Sequence, residues 1–140
     1  MKILETNPPN IAEIIKAFPE VKGDKLVIFT YGDTVYAPGG KIGITPDIEV
    51  HEAVHIKQQK ELGFMGPRRW WKKYLVDPEF RLEQELEAYR AQYKFITKTV
   101  KDRNEKLRCF NRFVAYLSGP TYGNLIPPST AAELLRDPWK

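Results

Sequence analysis

The chain has two histidines, His51 and His55, four residues apart in a segment whose ends are both marked as helix boundaries. Thr45 followed by Pro46 is a helix start: a capping residue, then a proline whose fixed φ suits the first helical position. Gly63 is a helix stop. The segment between them predicts one helix, from Pro46 to about Leu62. Its flanks suit a buried helix, with apolar Ile48, Ala53, Val54 and Ile56 beside polar Lys57, Gln59 and Lys60. Positions i and i+4 lie on one helical face a turn apart, so both imidazoles can reach one metal ion. The run reads His51-Glu52-Ala53-Val54-His55, or H-E-x-x-H. Two neutral nitrogen donors on one face suit zinc, and the glutamate between them stands near enough to reach a water beside the metal. The bland alternative is a pair of helix-surface histidines that hold nothing.

The rest of the chain divides at its prolines and glycines. Asn10 with Glu13 has the spacing of a capping box and opens a short helix over Ile11 to Ala17, stopped by Phe18-Pro19. Leu26 to Tyr31 is rich in β-formers and predicts a strand; Gly32-Asp33 is a turn, and Thr34 to Tyr36 returns as a second strand. Lys41 to Ile44 is expected as a third, short strand. Gly63 to Tyr74 is expected as an aromatic and basic connector. Asp77-Pro78 starts a long helix that runs to about Val100. A further helix is expected over Glu105 to Leu117, ended by Gly119-Pro120. Thr130 with Glu133 marks a last short helix. Helix, small sheet, then helices argues the α+β class. At 140 residues with 42% hydrophobic composition, the expectation is one globular domain over 1–140.

A zinc site of this kind wants a third protein ligand. No third histidine exists, which removes H-E-x-x-H-x-x-G-x-x-H; Gln58 and Glu61 stand where its glycine and histidine would fall. A carboxylate or Cys109, the single cysteine, remains, and downstream lies the acidic run Glu83-Gln84-Glu85-Leu86-Glu87-Ala88-Tyr89. H-E-x-x-H followed about 30 residues later by a helical E-x-x-A resembles the gluzincin class of metallopeptidases in its smallest forms. The runs His51 to Gln59, Glu85 to Tyr89, and Leu117-Ser118-Gly119-Pro120-Thr121-Tyr122-Gly123 are similar to small peptidases encoded by bacteriophages, over roughly residues 41 to 125.

The resemblance implies a minimal zincin-like fold: a small sheet packed on the active-site helix and a following long helix, with a helical C-terminal part. It implies Zn2+ as cofactor, His51, His55 and Glu85 as its ligands, Glu52 as general base and acid, and Ala88 as the small residue that lets two helices approach. It also implies that Lys41 to Ile44 is an edge strand pairing with an extended peptide, which makes Ile42, Gly43 and Ile44 substrate-binding residues. Tyr122 is a candidate oxyanion donor; the alternative is a packed loop tyrosine. Helical spacing supports Glu85 over its neighbours: it shares a face with Ala88, Tyr89 and Gln92, with Leu82 and Ile96 continuing the inward stripe, while Glu83 and Glu87 form their own i, i+4 pair.

The expected activity is zinc-dependent hydrolysis of peptide bonds, with a peptide or protein substrate. Against it stands a catalytically silent zinc protein, for instance a virion component. A deformylase-like enzyme is disfavoured because its cysteine ligand precedes the motif, whereas Cys109 follows it. A nucleic-acid module is the fourth reading. Net charge is +4, concentrated at Arg68, Arg69, Lys72 and Lys73 and again between Lys98 and Arg112. Such patches can attract nucleic acid or anionic lipid. Trp70, Trp71 and Tyr74 beside the first patch could stack on bases, but a core-edge connector is the commoner use, so specific nucleic-acid binding is not expected. No apolar run reaches a membrane span, and the start carries no secretory leader, so a cytoplasmic protein is expected, with virion association as the alternative.

Overall fold

In a computed structural model, which describes residues 1–23 and 26–136, the chain divides into two compact units, Met1–Val76 and Asp77–Lys140. The architecture is α+β, as the order of elements predicts.

In the first unit, Gly32 turns the chain back at φ 67°, where a glycine has no steric cost. Three strands of three residues each result: β1 (Lys2–Leu4), β2 (Phe29–Tyr31) and β3 (Thr34–Tyr36). Their order is β1-β3-β2. β2 and β3 are antiparallel, with Thr30 opposite Val35. β1 lies parallel to β3, with Ile3 opposite Val35. Val35, at the centre, is fully buried.

Two sequence expectations are corrected here. The strand expected from Leu26 begins only at Phe29, because β3 offers three residues to pair with. Lys41 to Ile44 is not a strand: Lys41–Gly43 is a turn of 3-10 helix, and Ile42 is 97% exposed. β3 already has a strand on each edge, and Gly40, at φ 108°, takes the chain off the sheet. The third strand is β1, whose parallel partner lies over thirty residues away and leaves no local signature.

Helix α1 (Ile11–Ala17) forms where expected, yet Asn10 makes no capping bond with its side chain. The capping box is therefore absent, and both polar atoms of that amide are buried with no hydrogen-bond partner. Helix α2 (Pro46–Glu61) follows, with Gly63 at φ 72° just beyond its end. The supposed connector is a helix, α3 (Gly66–Val76). Its start was readable, since Pro67 suits a first turn, and Pro67, Trp70, Trp71 and Tyr74 recur at helical spacing. Trp70 and Trp71 are buried and pack edge to face at 5.2 Å, and Tyr74 stacks on Trp70 at 4.7 Å.

The second unit is helical. Helix α4 (Pro78–Thr99) is capped by Asp77, whose carboxylate accepts from the backbone N–H groups of Glu79 and Phe80 at 3.0 and 3.2 Å. Helix α5 (Arg103–Leu117) starts two residues before the expected position, capped by Asp102. Helix α6 (Pro128–Arg136) likewise starts early; a proline opens it, and Thr130 with Glu133 lies inside rather than at the cap. The core joins Ile96, Phe110, Phe113, Leu117, Ala131 and Leu135. Among the described residues no helix is long and apolar enough to cross a membrane.

Candidate metal centre

α2 buries its polar side. Its buried residues are His51, Glu52, His55, Gln58 and Gln59, while Ala53 is exposed and Val54 and Ile56 are only half-buried. The spacing is i, i+1, i+4, i+7, i+8, the pattern by which a core helix normally places leucines. Burying polar groups costs free energy unless each is bonded, so a helix inverted in this way must satisfy them one by one.

Thr30 on β2 is the hub of that network. Its hydroxyl donates to Glu52 Oε2 at 2.6 Å. Its carbonyl oxygen accepts from Gln59 Nε2 at 2.9 Å and from Trp71 Nε1 at 2.8 Å, which uses both lone pairs. Gln59 is fully buried, and its Oε1 accepts from the Gly32 backbone N–H at 2.7 Å, at the turn between β2 and β3. Strand, helix and α3 are thus pinned to one another through a single residue. Gly66 completes the contact: a Cβ there would stand 2.0 Å from the Gln59 carbonyl oxygen, so α3 can start against α2 only with glycine at this point.

The histidines are held from the side. His55 Nδ1 donates to Gln58 Oε1 at 2.9 Å, which places the ring proton on Nδ1 and the lone pair on Nε2. Trp70 packs on the same ring, with centroids 5.3 Å apart. His55 Nε2 and His51 Nε2 face each other at 3.2 Å. Two ring nitrogens at that distance are satisfied by one shared proton or by one cation.

The donor set fits zinc. Nitrogen ligands about 2.0–2.1 Å from a tetrahedral ion stand roughly 3.4 Å apart, close to the 3.2 Å between the two imidazoles. Glu85 is buried on α4, in a stripe with Arg81, Ala88, Gln92 and Ile96. Glu83 and Glu87, the other carboxylates of the acidic run, are exposed. Among the described residues, the buried His51, His55 and Glu85 are a group that could hold a metal ion. The two histidines, within the first unit, already stand at a ligand spacing.

Tyr122 is buried in the hydrophobic cluster of the second unit, beside Phe113 and Leu117. Ile42 and Gly43 line an apolar groove of about 280 Å³ with Ile28, Ala37, Gly40 and Ile48, the last placed three residues before His51 on α2. Cys109 is half-buried on α5. Trp70 and Trp71 spend their faces on each other, Tyr74 and His55, not on an open stacking surface.

Sequence reasoning did not single out Thr30, Gln58 and Gln59. For the glutamines a signal existed: they continue the face of His51 and His55 at i+3 and i+4 from His55. Thr30 carried none, since its partner is 22 residues away. Compared with family models, curated proteins and solved structures, the chain matches none.

Proposed function

We propose that the chain is a zinc-dependent hydrolase of peptide bonds, with His51, His55 and Glu85 as ligands and Glu52 as general base, the constellation that the gluzincin resemblance implies. The observation that carries the proposal is the inverted face of α2, which buries two imidazoles at ligand spacing with a carboxylate beside them. Zinc at this place supplies a Lewis acid that polarises a carbonyl and lowers the pKa of water to about 7.

The chain's own residues do the rest. Gln58 holds His55 with its Nε2 lone pair available. Thr30 holds Glu52 by Oε2, which fixes the side chain and leaves the other carboxylate oxygen to take a proton from water and pass it to the leaving amine. The apolar groove beside Ile48 suits an apolar side chain of the peptide, in place of strand pairing along Ile42, Gly43 and Ile44.

One observation favours a second reading, a zinc protein without turnover. The Thr30 bond gives Glu52 a structural partner, so a carboxylate at this position has a use even in a silent site. Glu52→Gln separates the two. The hydrolase reading expects retained zinc content and a loss of at least about 100-fold in chelator-sensitive cleavage across a peptide library. Cleavage at the wild-type rate by Glu52→Gln, or no chelator-sensitive cleavage by wild type, favours the silent protein.

A further inference from the structure

Between α2 and α3 the chain makes a tight turn that pushes two large apolar side chains outward. The Gly66 N–H bonds back to the Gly63 carbonyl at 2.9 Å, leaving Phe64 and Met65 at the tip. Phe64 is 86% exposed and Met65 45%. Met65 sits at φ 55°, a left-handed conformation that a bulky residue adopts only at a cost. The turn is also clamped. The Arg69 guanidinium donates to the Leu62 carbonyl at 2.8 Å, and Gly66 is wedged against the backbone of Gln59. An exposed phenylalanine on a mobile loop would need no explanation; one held out by a strained, clamped turn does.

The surroundings of the tip are cationic. Arg68, Arg69, Lys72 and Lys73 are all exposed on α3, and Lys60 is exposed near the end of α2. Val76, at the far end of α3, is 76% exposed. From residue 57 to 76 the sequence holds six Lys and Arg against one acidic residue, Glu61, which pairs with Lys57 at 3.7 Å. Lys and Arg at an anionic surface gain attraction over a Debye length, while apolar side chains gain by entering the interface below the headgroups. A duplex nucleic acid would use the charges and leave Phe64 idle, because its bases are stacked inside the helix; the ring faces of α3 are turned on one another and offer no platform for unpaired bases.

We infer that the Phe64-Met65 turn and the basic face of α3 form a docking surface for an anionic lipid bilayer, with Phe64 entering the interface and Arg68 and Lys72 on the headgroups. This rests on the first unit alone and is independent of the proposed hydrolysis.

The test is co-sedimentation of the full chain with vesicles of phosphatidylcholine, with and without about 30 mol % phosphatidylglycerol. Binding is expected only with the anionic lipid and is weakened when NaCl rises from about 0.05 to 0.5 M. Arg68→Glu/Lys72→Glu should lower affinity at least about 25-fold, counting roughly five-fold for each lost cation. Phe64→Ser should lower it about ten-fold or more. Both variants should melt as wild type does, since these side chains are exposed. Equal binding to neutral vesicles, no binding to anionic ones, or anionic binding indifferent to Phe64→Ser overturns the inference. So does tighter binding to duplex DNA than to anionic vesicles, which assigns the patch to a polyanion.

Discussion

Replacing Gln58 by leucine tests what a buried amide contributes to a proposed metal ligand. The two side chains are similar in size, so packing is nearly kept, and what the His55 ring loses is the 2.9 Å bond from Nδ1 to Oε1. The ring then loses the partner that keeps its proton on Nδ1, and with it the fixed lone pair on Nε2. Loss of such an outer partner costs about 10- to 100-fold in metal affinity, or about 1.4–2.7 kcal/mol. By linkage the same amount leaves the zinc-dependent stabilisation at a fixed free zinc concentration. For a chain of 140 residues that is a loss of roughly 4–10 °C from the zinc-induced rise in melting temperature. Competition with a chromogenic chelator measures the affinity directly. Gln58→Glu, which keeps an acceptor, should bind zinc at least as tightly as wild type. Equal affinity in wild type and Gln58→Leu would refute the argument. Equal losses in Gln58→Leu and Gln58→Glu would show that the hydrogen bond is not what matters.

Gly66→Ala is expected to destabilise by at least about 3 kcal/mol in urea unfolding, because its Cβ would meet the Gln59 carbonyl oxygen at 2.0 Å, backbone that cannot step aside. Gly63→Ala, at φ 72° with open space around it, should cost only about 1–2 kcal/mol, and a reversed ranking would contradict the packing described. Thr30→Val removes a 2.6 Å bond to a buried carboxylate and should cost about 1.5–3 kcal/mol. A double-mutant cycle with Glu52→Gln should show coupling between the two positions, and strict additivity would mean that the bond contributes nothing.

The parts of this architecture that were legible in the sequence are those written locally. The ends of α2 were set by Thr45-Pro46 and Gly63, the start of α4 by Asp77-Pro78, and the turn between β2 and β3 by Gly32-Asp33. The burial of Glu85 and the exposure of Glu83 and Glu87 followed from helical spacing alone. What escaped was written in distant partners. β1 exists because β3 offers it an edge, and no local pattern in Lys2–Leu4 announces that. Lys41 to Ile44 has strand-like residues but no edge left to join. The buried face of α2 is not legible locally, because Gln58 and Gln59 look like solvent-facing residues until Thr30 and Gly32 are seen bonding to one of them and His55 to the other. The Asn10-Glu13 capping box shows the converse: the spacing is right, the helix forms, and the side-chain bond is absent.

The central claim is that His51 and His55 hold zinc with Glu85, and metal content tests it most directly. Protein purified without added metal should carry close to one zinc per chain by elemental analysis. His51→Ala/His55→Ala should carry none, and Glu85→Ala should bind zinc at least about 100-fold more weakly by chelator competition. Equal metal content in wild type and the double-histidine variant, or unchanged affinity in Glu85→Ala, would contradict the account.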